Sequence, residues 1–213
     1  LFFVDAAQTA GNVPIDMKAC HIDGLSLPGH KSMLGPQGVG ALLLNPAITG
    51  ELTPVISGGT GSHSDMAEMP EELPDRFESG TMNLPGIFGL HASVGWLTEH
   101  QVHEHEQKLV KRMLDGIRDV EGIRIAGMPT EEGRVAVVSV DFLNGDNGMI
   151  AFQLEQEYGI MTRVGLHCAP LAHKSLGTFP EGTVRFSIGP FNTEKEIDTA
   201  IEAIRKYAQE SNE

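Results

Sequence analysis

The stretch PGHKSMLGPQGVGALL, residues 28–43, decides how this chain reads. It follows a short apolar run, Ile22 to Leu27, and turns at Pro28-Gly29-His30-Lys31. A glycine-rich hairpin, Gly35-Pro36-Gln37-Gly38, then leads into a second apolar run, Val39 to Leu44. Gly and Pro between two β-compatible runs predict strand, tight turn and strand. The turn holds Lys31 on short, inflexible backbone near a sheet edge. An amine so placed is a candidate Schiff-base former; a solvated surface lysine with no such role is the alternative.

Toward the N-terminus, Leu1 to Val4 reads as an apolar strand with Asp5 at its C-terminal end. In α/β proteins the C-terminal ends of strands carry ligand-binding groups. A carboxylate there can hold a cation or a protonated ring nitrogen, or simply cap the next turn. Asp5 and Lys31 together raise a specific possibility. Pyridoxal phosphate enzymes need a lysine for the aldehyde and often a carboxylate for the pyridine nitrogen. Between these groups, Gly11 to Asp16 is turn-like, and Met17 to His21 is predicted as a short helix. The chain opens directly in an apolar strand, whereas termini usually fray at the surface. An upstream part of the protein is therefore expected outside this chain.

Toward the C-terminus, residues 45–85 carry Gly58-Gly59, Gly61 and five prolines, which predicts an ordered or gated functional loop. Apolar residues at 87, 90, 94 and 97 predict a helix from Gly86 to about Thr98. A second helix, Val102 to Asp119, puts Leu109, Val110, Met113, Leu114 and Ile117 on one side. The junction at residues 99–102 is the expected domain boundary, separating 1–100 from 101–213. Next come predicted strands at Ile123 to Ala126 and Arg134 to Phe142. A helix near Met149 to Tyr158 should end at Gly159, followed by a strand at Ile160 to Val164. An irregular loop and a strand at Val184 to Ile188 precede the last helix. Thr193 and Glu196 form that helix's capping box, and Ile197, Ile201 and Ile204 its apolar stripe.

Cys168 lies in RVGLHCAP, residues 163–170, where Arg163 and His167 would favour the reactive thiolate. An inert half-buried thiol is the alternative, and Cys20 reads as packing. Arg185 interrupts the strand VRFSI and needs an anionic partner, either a substrate carboxylate or a structural ion pair. Glu99, His100, His103, Glu104 and His105 have metal-like spacing. They lack a cysteine and an HExxH pattern and read as a solvated helix start, so no metal is assigned.

Composition sets the frame. A 213-residue chain with 40% hydrophobic and 21% charged residues can bury a real core. Fifteen basic against 29 acidic residues give a net charge of −14, which argues against nucleic-acid or anionic-membrane binding. The apolar runs fall far short of the ~18 residues a membrane span needs. Two cysteines are too few for a secreted disulfide framework and fit a reducing compartment, so a cytoplasmic place is expected. The reading is a soluble, acidic α/β protein.

The segments VDAAQTAGNVPID (4–16), PGHKSMLGPQGVGALL (28–43), RFESGTMN (76–83), TRVGLHCAP (162–170) and VRFSIGPFNTEKEID (184–198) stand in a telling order. Together they are similar to the cysteine desulfurase branch of the class V aminotransferases, across essentially the whole chain. The resemblance implies part of a fold-type I pyridoxal phosphate large domain, mainly of parallel sheet, in residues 1–100. A smaller α+β C-terminal domain would follow in 101–213.

It also implies roles. Lys31 would carry pyridoxal phosphate as a Schiff base and His30 would help anchor it. Asp5 would pair with the ring nitrogen and Gln8 with the phenolic oxygen. Gly80 and Thr81 would reach the phosphate of the neighbouring subunit in a homodimer. Cys168 would take sulfur from L-cysteine, leaving alanine and a persulfide for a sulfur-acceptor protein or thiol, and Arg185 would bind the substrate carboxylate. Many relatives have a phosphate-contacting serine where this chain has Pro28, which has no N–H or hydroxyl to donate. Family members are nearly twice this length, so the chain alone is expected to be inactive. The alternatives are a selenocysteine lyase, another class V lyase or aminotransferase on a small amino acid, and a non-catalytic binding or dimerisation module.

Overall fold

The computed structural model describes residues 1–63 and 65–210, and the chain forms two compact units that divide between His100 and Gln101. In the first unit, β1 (Phe3–Asp5), β2 (Gly24–Pro28) and β3 (Gly40–Leu44) form one sheet in that order. β1 runs parallel to β2, with Asp5 opposite Ser26. β2 and β3 are antiparallel, with Pro28 opposite Gly40 at the hairpin end. The sheet these residues contribute is therefore mixed. Its core is small, with Ala6, Ile22 and Leu25 buried and Val4, Ile15, Met17 and Leu27 packed around them.

Two expectations for this unit change. The apolar residues at the start are not buried: Leu1 is 79% exposed, Phe2 51% and Phe3 47%. Met17 to His21 is a turn, not a helix. The Asp16 carboxylate accepts the Lys18 and Ala19 amides at 2.9 and 3.0 Å, which starts a helical turn. His21 then adopts φ 53°, and Ile22 donates back to the Met17 carbonyl at 2.8 Å, closing the chain on itself. The long segment after β3 carries 3-10 turns at Pro46–Glu51 and Asp75–Phe77. Helix α1 (Leu84–Glu99) starts slightly before the predicted point. The reason is local: the Asn83 side chain caps it by accepting the Gly86 amide at 3.1 Å, and Pro85 fits the first turn.

The second unit has a four-stranded antiparallel sheet in the order β4-β5-β7-β6, formed by β4 (Ile123–Ala126), β5 (Val137–Phe142), β6 (Arg163–Gly165) and β7 (Thr183–Ser187). Helix α2 (Val102–Ile117) packs on β5 and on α5 (Glu194–Glu210), while α3 (Asn147–Tyr158) packs on β6, β7 and α5. The α2 face expected from periodicity, Leu109, Val110, Met113, Leu114 and Ile117, is buried. Each such side chain contributes about 1.5–3 kcal/mol on burial. β5 alternates as half-buried strands do, with Val138, Val140 and Phe142 inward.

Residues 134–136 lie before β5 instead of in it, because the chain turns there, Arg134 donating to the Glu131 carbonyl. Gly159 closes α3 at φ 66°. Thr193 and Glu196 make the capping box, Thr193 N–H to Glu196 Oε2 at 2.7 Å and the Glu196 amide to Thr193 Oγ1 at 3.3 Å. A helix not foreseen, α4 (Pro170–Leu176), follows Cys168 directly.

Among the described residues no group of acidic, histidine and cysteine side chains could hold a metal ion, and no helix is long and apolar enough to cross a membrane. In the sequence cluster at 99–105, His100 stacks on Trp96 and His105 bonds the Asn192 carbonyl at 2.9 Å.

Candidate functional site

The side chains with chemistry fall into two clusters, one in each unit. In the first unit, parallel pairing brings the C-terminal ends of β1 and β2 side by side. Asp5 ends β1, and β2 runs on two residues past Ser26 into the His30-Lys31 turn. The chain after Asp5 turns at once. Asp5 Oδ1 accepts the Ala7 amide at 2.9 Å, and the Ala6 carbonyl accepts the amides of Thr9 and Ala10, which sets Gln8 on the turn.

That turn is fastened to the lysine turn. Gly11 lies at φ 88° against the Ser32 main chain, where a Cβ would collide with the Ser32 carbonyl, and Asn12 Nδ2 donates to Ser32 Oγ at 2.7 Å. The lysine turn is itself closed by Gly35 N–H to the Gly29 carbonyl at 2.7 Å and by Leu34 N–H to the Lys31 carbonyl at 2.9 Å. Asp5, Gln8, His30 and Lys31 are all exposed. Apart from the Asp5 turn bond, their side chains make no hydrogen bond or ion pair with described residues.

The loop holding Gly80 and Thr81 differs from expectation in detail. The Gly80 amide donates to the Gly59 carbonyl at 2.8 Å, and Arg76 Nη2 donates to the Leu52 carbonyl at 2.7 Å. The Gly80 donor expected for the phosphate thus serves the loop's own backbone in this conformation, as does the neighbouring Arg76 guanidinium. The Thr81 side chain is exposed and bonds to no described residue.

The second unit holds Cys168. After β6 the chain reverses through His167 and Cys168, both left-handed at φ 51° and 60°. For residues other than glycine that conformation costs roughly 1–2 kcal/mol each. Several contacts hold it. Arg163 Nη2 donates to Cys168 Sγ at 3.3 Å, His167 Nε2 donates to the Arg163 carbonyl at 3.0 Å, and the Ala169 amide donates to the Leu166 carbonyl at 2.8 Å. The thiol is free and exposed.

Arg163 stands directly opposite Arg185 in the β6–β7 ladder. Like charges opposed across strands destabilise a sheet, and Arg185 Nε is buried with no hydrogen-bond partner. Burial first, and then Arg163, push Arg185 below the ordinary guanidinium value, while Cys168 acts the other way. This arrangement calls for an anion. Burial also pushes His167 below the usual imidazole value, helped by Arg185, His173 and Arg163 and opposed by its bond to the Arg163 carbonyl.

Two residues of this cluster were not found from sequence. His173 on α4 is 6% exposed, Thr178 is 3% exposed, and His173 Nδ1 meets Thr178 Oγ1 at 2.7 Å. The two stand five residues apart across the end of α4, a helix too short for its periodicity to mark the pair. Cys20 sits exposed in the Asp16–His21 turn, so it is not the packing residue expected.

The sequence model of the aminotransferase class-V family matches residues 1–199. The chain belongs to the class-V aminotransferase family. Within that family it is 34% identical to a probable cysteine desulfurase of Methanothermobacter thermautotrophicus, over 98% of this chain and 53% of that protein. It is 30% identical to the cysteine desulfurase CsdA of Escherichia coli K12, over 94% of this chain and 49% of that protein. The apo structure of a cysteine desulfurase from Thermococcus onnurineus NA1 superposes with a TM-score of 0.88 at 31% identity, covering 99% of this chain and 53% of that one. The fold is thus that of fold-type I pyridoxal phosphate aminotransferases. The chain spans about half the length of the curated relatives it matches.

Proposed function

We propose that this chain is the C-terminal part of a pyridoxal phosphate-dependent cysteine desulfurase that converts L-cysteine to alanine and leaves the sulfur on Cys168. The observation that carries this reading is the exposed thiol at the tip of a strained turn, in contact with one arginine and beside a second that lacks an anion. The first unit, residues 1–100, would belong to the cofactor-binding large domain, and 101–213 would form the small domain.

The donor set of the first unit suits the cofactor: a carboxylate, an amide, an imidazole and an amine, all exposed around the C-terminal ends of two parallel strands. Asp5 would face the ring nitrogen, Gln8 the phenolic oxygen and His30 the ring. Lys31 would supply the tethering amine. Thr81, with Gly80 once its amide leaves Gly59, would serve the phosphate of a second subunit in a homodimer. Bound pyridoxal phosphate supplies an aldehyde for the substrate amine and an electron sink for the bonds around its α-carbon.

This chain's own residues do the rest. Arg185 holds the substrate carboxylate bidentately, the pairing for which a guanidinium is shaped. Arg163 donates to the Cys168 sulfur and holds it in place, and the Cys168 thiolate attacks the substrate sulfur. The carbon–sulfur bond breaks and a sulfur–sulfur bond forms. The net change balances as L-cysteine plus Cys168–SH giving L-alanine plus Cys168–S–SH. The terminal sulfur then passes to an acceptor thiol or protein, in the cytoplasm, where the two free cysteines stay reduced.

The test is peptide mass spectrometry of the full-length protein after a short exposure to L-cysteine and quenching with an alkylating agent. One extra sulfur on Cys168 is the expected result. Alanine formed with Cys168 never carrying sulfur would refute the reading.

A further inference from the structure

We propose that His173, fixed by Thr178, is a positioning residue for Cys168. The inference rests on the sulfur-transfer reading above and adds the device that holds the thiol in place. Its basis is a chain of contacts behind the strained turn. Thr178 Oγ1 meets His173 Nδ1 at 2.7 Å, and the His173 ring lies 5.4 Å from the His167 ring at an interplanar angle of 40°. His167 Nε2 reaches the Arg163 carbonyl at 3.0 Å, and the Arg163 guanidinium reaches Cys168 Sγ at 3.3 Å. The path begins in the interior and ends on the exposed sulfur.

Each link has a physical reason to be there. A buried imidazole costs stability unless it is hydrogen-bonded, so a leucine would fill the His173 site more cheaply if packing were its only role. The Thr178 bond fixes the plane of the His173 ring, which packing alone would not do. Thr178 is itself anchored: its amide donates to the His173 carbonyl at 2.9 Å, and its carbonyl accepts the Gly182 amide at 2.7 Å. Consecutive left-handed residues persist only where surrounding structure over-determines them. From the front, Arg163 grips the turn through both its carbonyl and its side chain. From behind, the fixed His173 ring packs against His167 and keeps it aimed at the Arg163 carbonyl. If that prop is lost, the turn relaxes and the guanidinium leaves the sulfur.

Thr178→Val removes the hydroxyl and keeps the shape, Thr178→Ser keeps the hydroxyl, and His173→Leu removes the ring. In the full-length protein, the alkylation rate of Cys168 by iodoacetamide is followed at pH 7 by peptide mass spectrometry. Thr178→Val and His173→Leu are expected to slow alkylation at pH 7 by roughly 5- to 10-fold, the factor one lost hydrogen bond allows. Thr178→Ser should restore the parent rate, with cofactor absorbance unchanged in all three.

If His173→Leu fails to fold, the two Thr178 variants decide. Parent-like alkylation in both, or equal slowing in both, would overturn the positioning role. Alkylation of the resting protein needs no substrate, so this outcome is separable from the desulfurase reading. That reading instead fails if alanine forms without sulfur ever reaching Cys168.

Discussion

The two units cover their apolar surface very differently. In the second, β5 alternates inward and outward, α2 and α5 close over it, and Leu109 to Tyr207 contribute to one continuous core. In the first, Ala6, Ile22 and Leu25 are buried around β1 and β2, while Leu1, Phe2 and Phe3, then Leu42 and Leu43, and Phe88 on α1 stay open. Exposed apolar patches of this kind mark surfaces that meet other protein. The thiol thus rests on a unit with a continuous core, and the candidate lysine site on one whose apolar residues stay largely open. The difference separates the roles: the first unit should govern cofactor retention, the second the transfer of sulfur.

The largest effect that would break this separation is at Lys31. In the full-length protein, Lys31→Ala should abolish both lysine-linked cofactor absorbance and turnover. Lys31→Arg should fail as well, because a guanidinium stays protonated and cannot form an imine. A lysine-linked spectrum in Lys31→Ala would move the site elsewhere.

Core substitutions sharpen the packing contrast. Leu114→Ala should lower stability to urea by about 2–5 kcal/mol, since the side chain is fully buried and leaves a cavity. Phe88→Ser would be almost neutral if Phe88, 70% exposed here, were a true surface residue. In the complete assembly it should instead weaken dimerisation, read by sedimentation. An unchanged dimer would mean that the open face of the first unit is simply surface.

Thr81→Val should weaken cofactor retention by roughly 1.5–3 kcal/mol, the worth of a hydrogen bond to a charged group. Mixed with Lys31→Ala, it should regain activity once subunits exchange, because one site of the heterodimer then carries neither defect. No rescue after demonstrated exchange would place Thr81 and Lys31 in the same subunit's site.

A smaller effect probes the second unit's one buried acid on α2. Burial pushes the Glu106 carboxyl up to about 7, with His105 opposing. A raised carboxyl costs stability wherever the unfolded chain would ionise it. Its cost is absent below the ordinary 4.5, builds as pH rises toward about 7 and is constant above that. Glu106→Gln should therefore stabilise by about 1–3 kcal/mol at pH 8, at roughly 1.4 kcal/mol per pKa unit, and the gain should vanish in acid. Urea midpoints at the two pH values check it.

Much of the fold was legible because the deciding signals were local. The Thr193–Glu196 capping box, the αL position of Gly159 and the α2 stripe each depend on a few residues close in sequence. The misses share a different cause. His21 took a left-handed conformation that turned an expected helix into a single turn. α4 spans seven residues, too short to show periodicity, and its Pro170 start resembled loop punctuation. Among the candidate site residues, Lys31, Asp5 and Cys168 stood out through their residue type and position after strands. The Gly80–Gly59 bond and the Arg163–Arg185 opposition arise from loop closure and strand register, which no single segment encodes, and the His173–Thr178 pair closes a helix too short to show itself. Even so, Arg163 was visible as a neighbour of Cys168 in the motif itself.

The central claim is that Cys168 receives the sulfur, and Cys168→Ser in the full-length protein tests it most directly. Serine keeps the shape and removes the thiolate. With L-cysteine added, alanine release should fall to background while the cofactor spectrum, and its change on substrate binding, remain as in the parent. Cys20→Ser should leave alanine release unchanged. Alanine released by Cys168→Ser at the parent rate would contradict the claim and leave a lyase that needs no thiol.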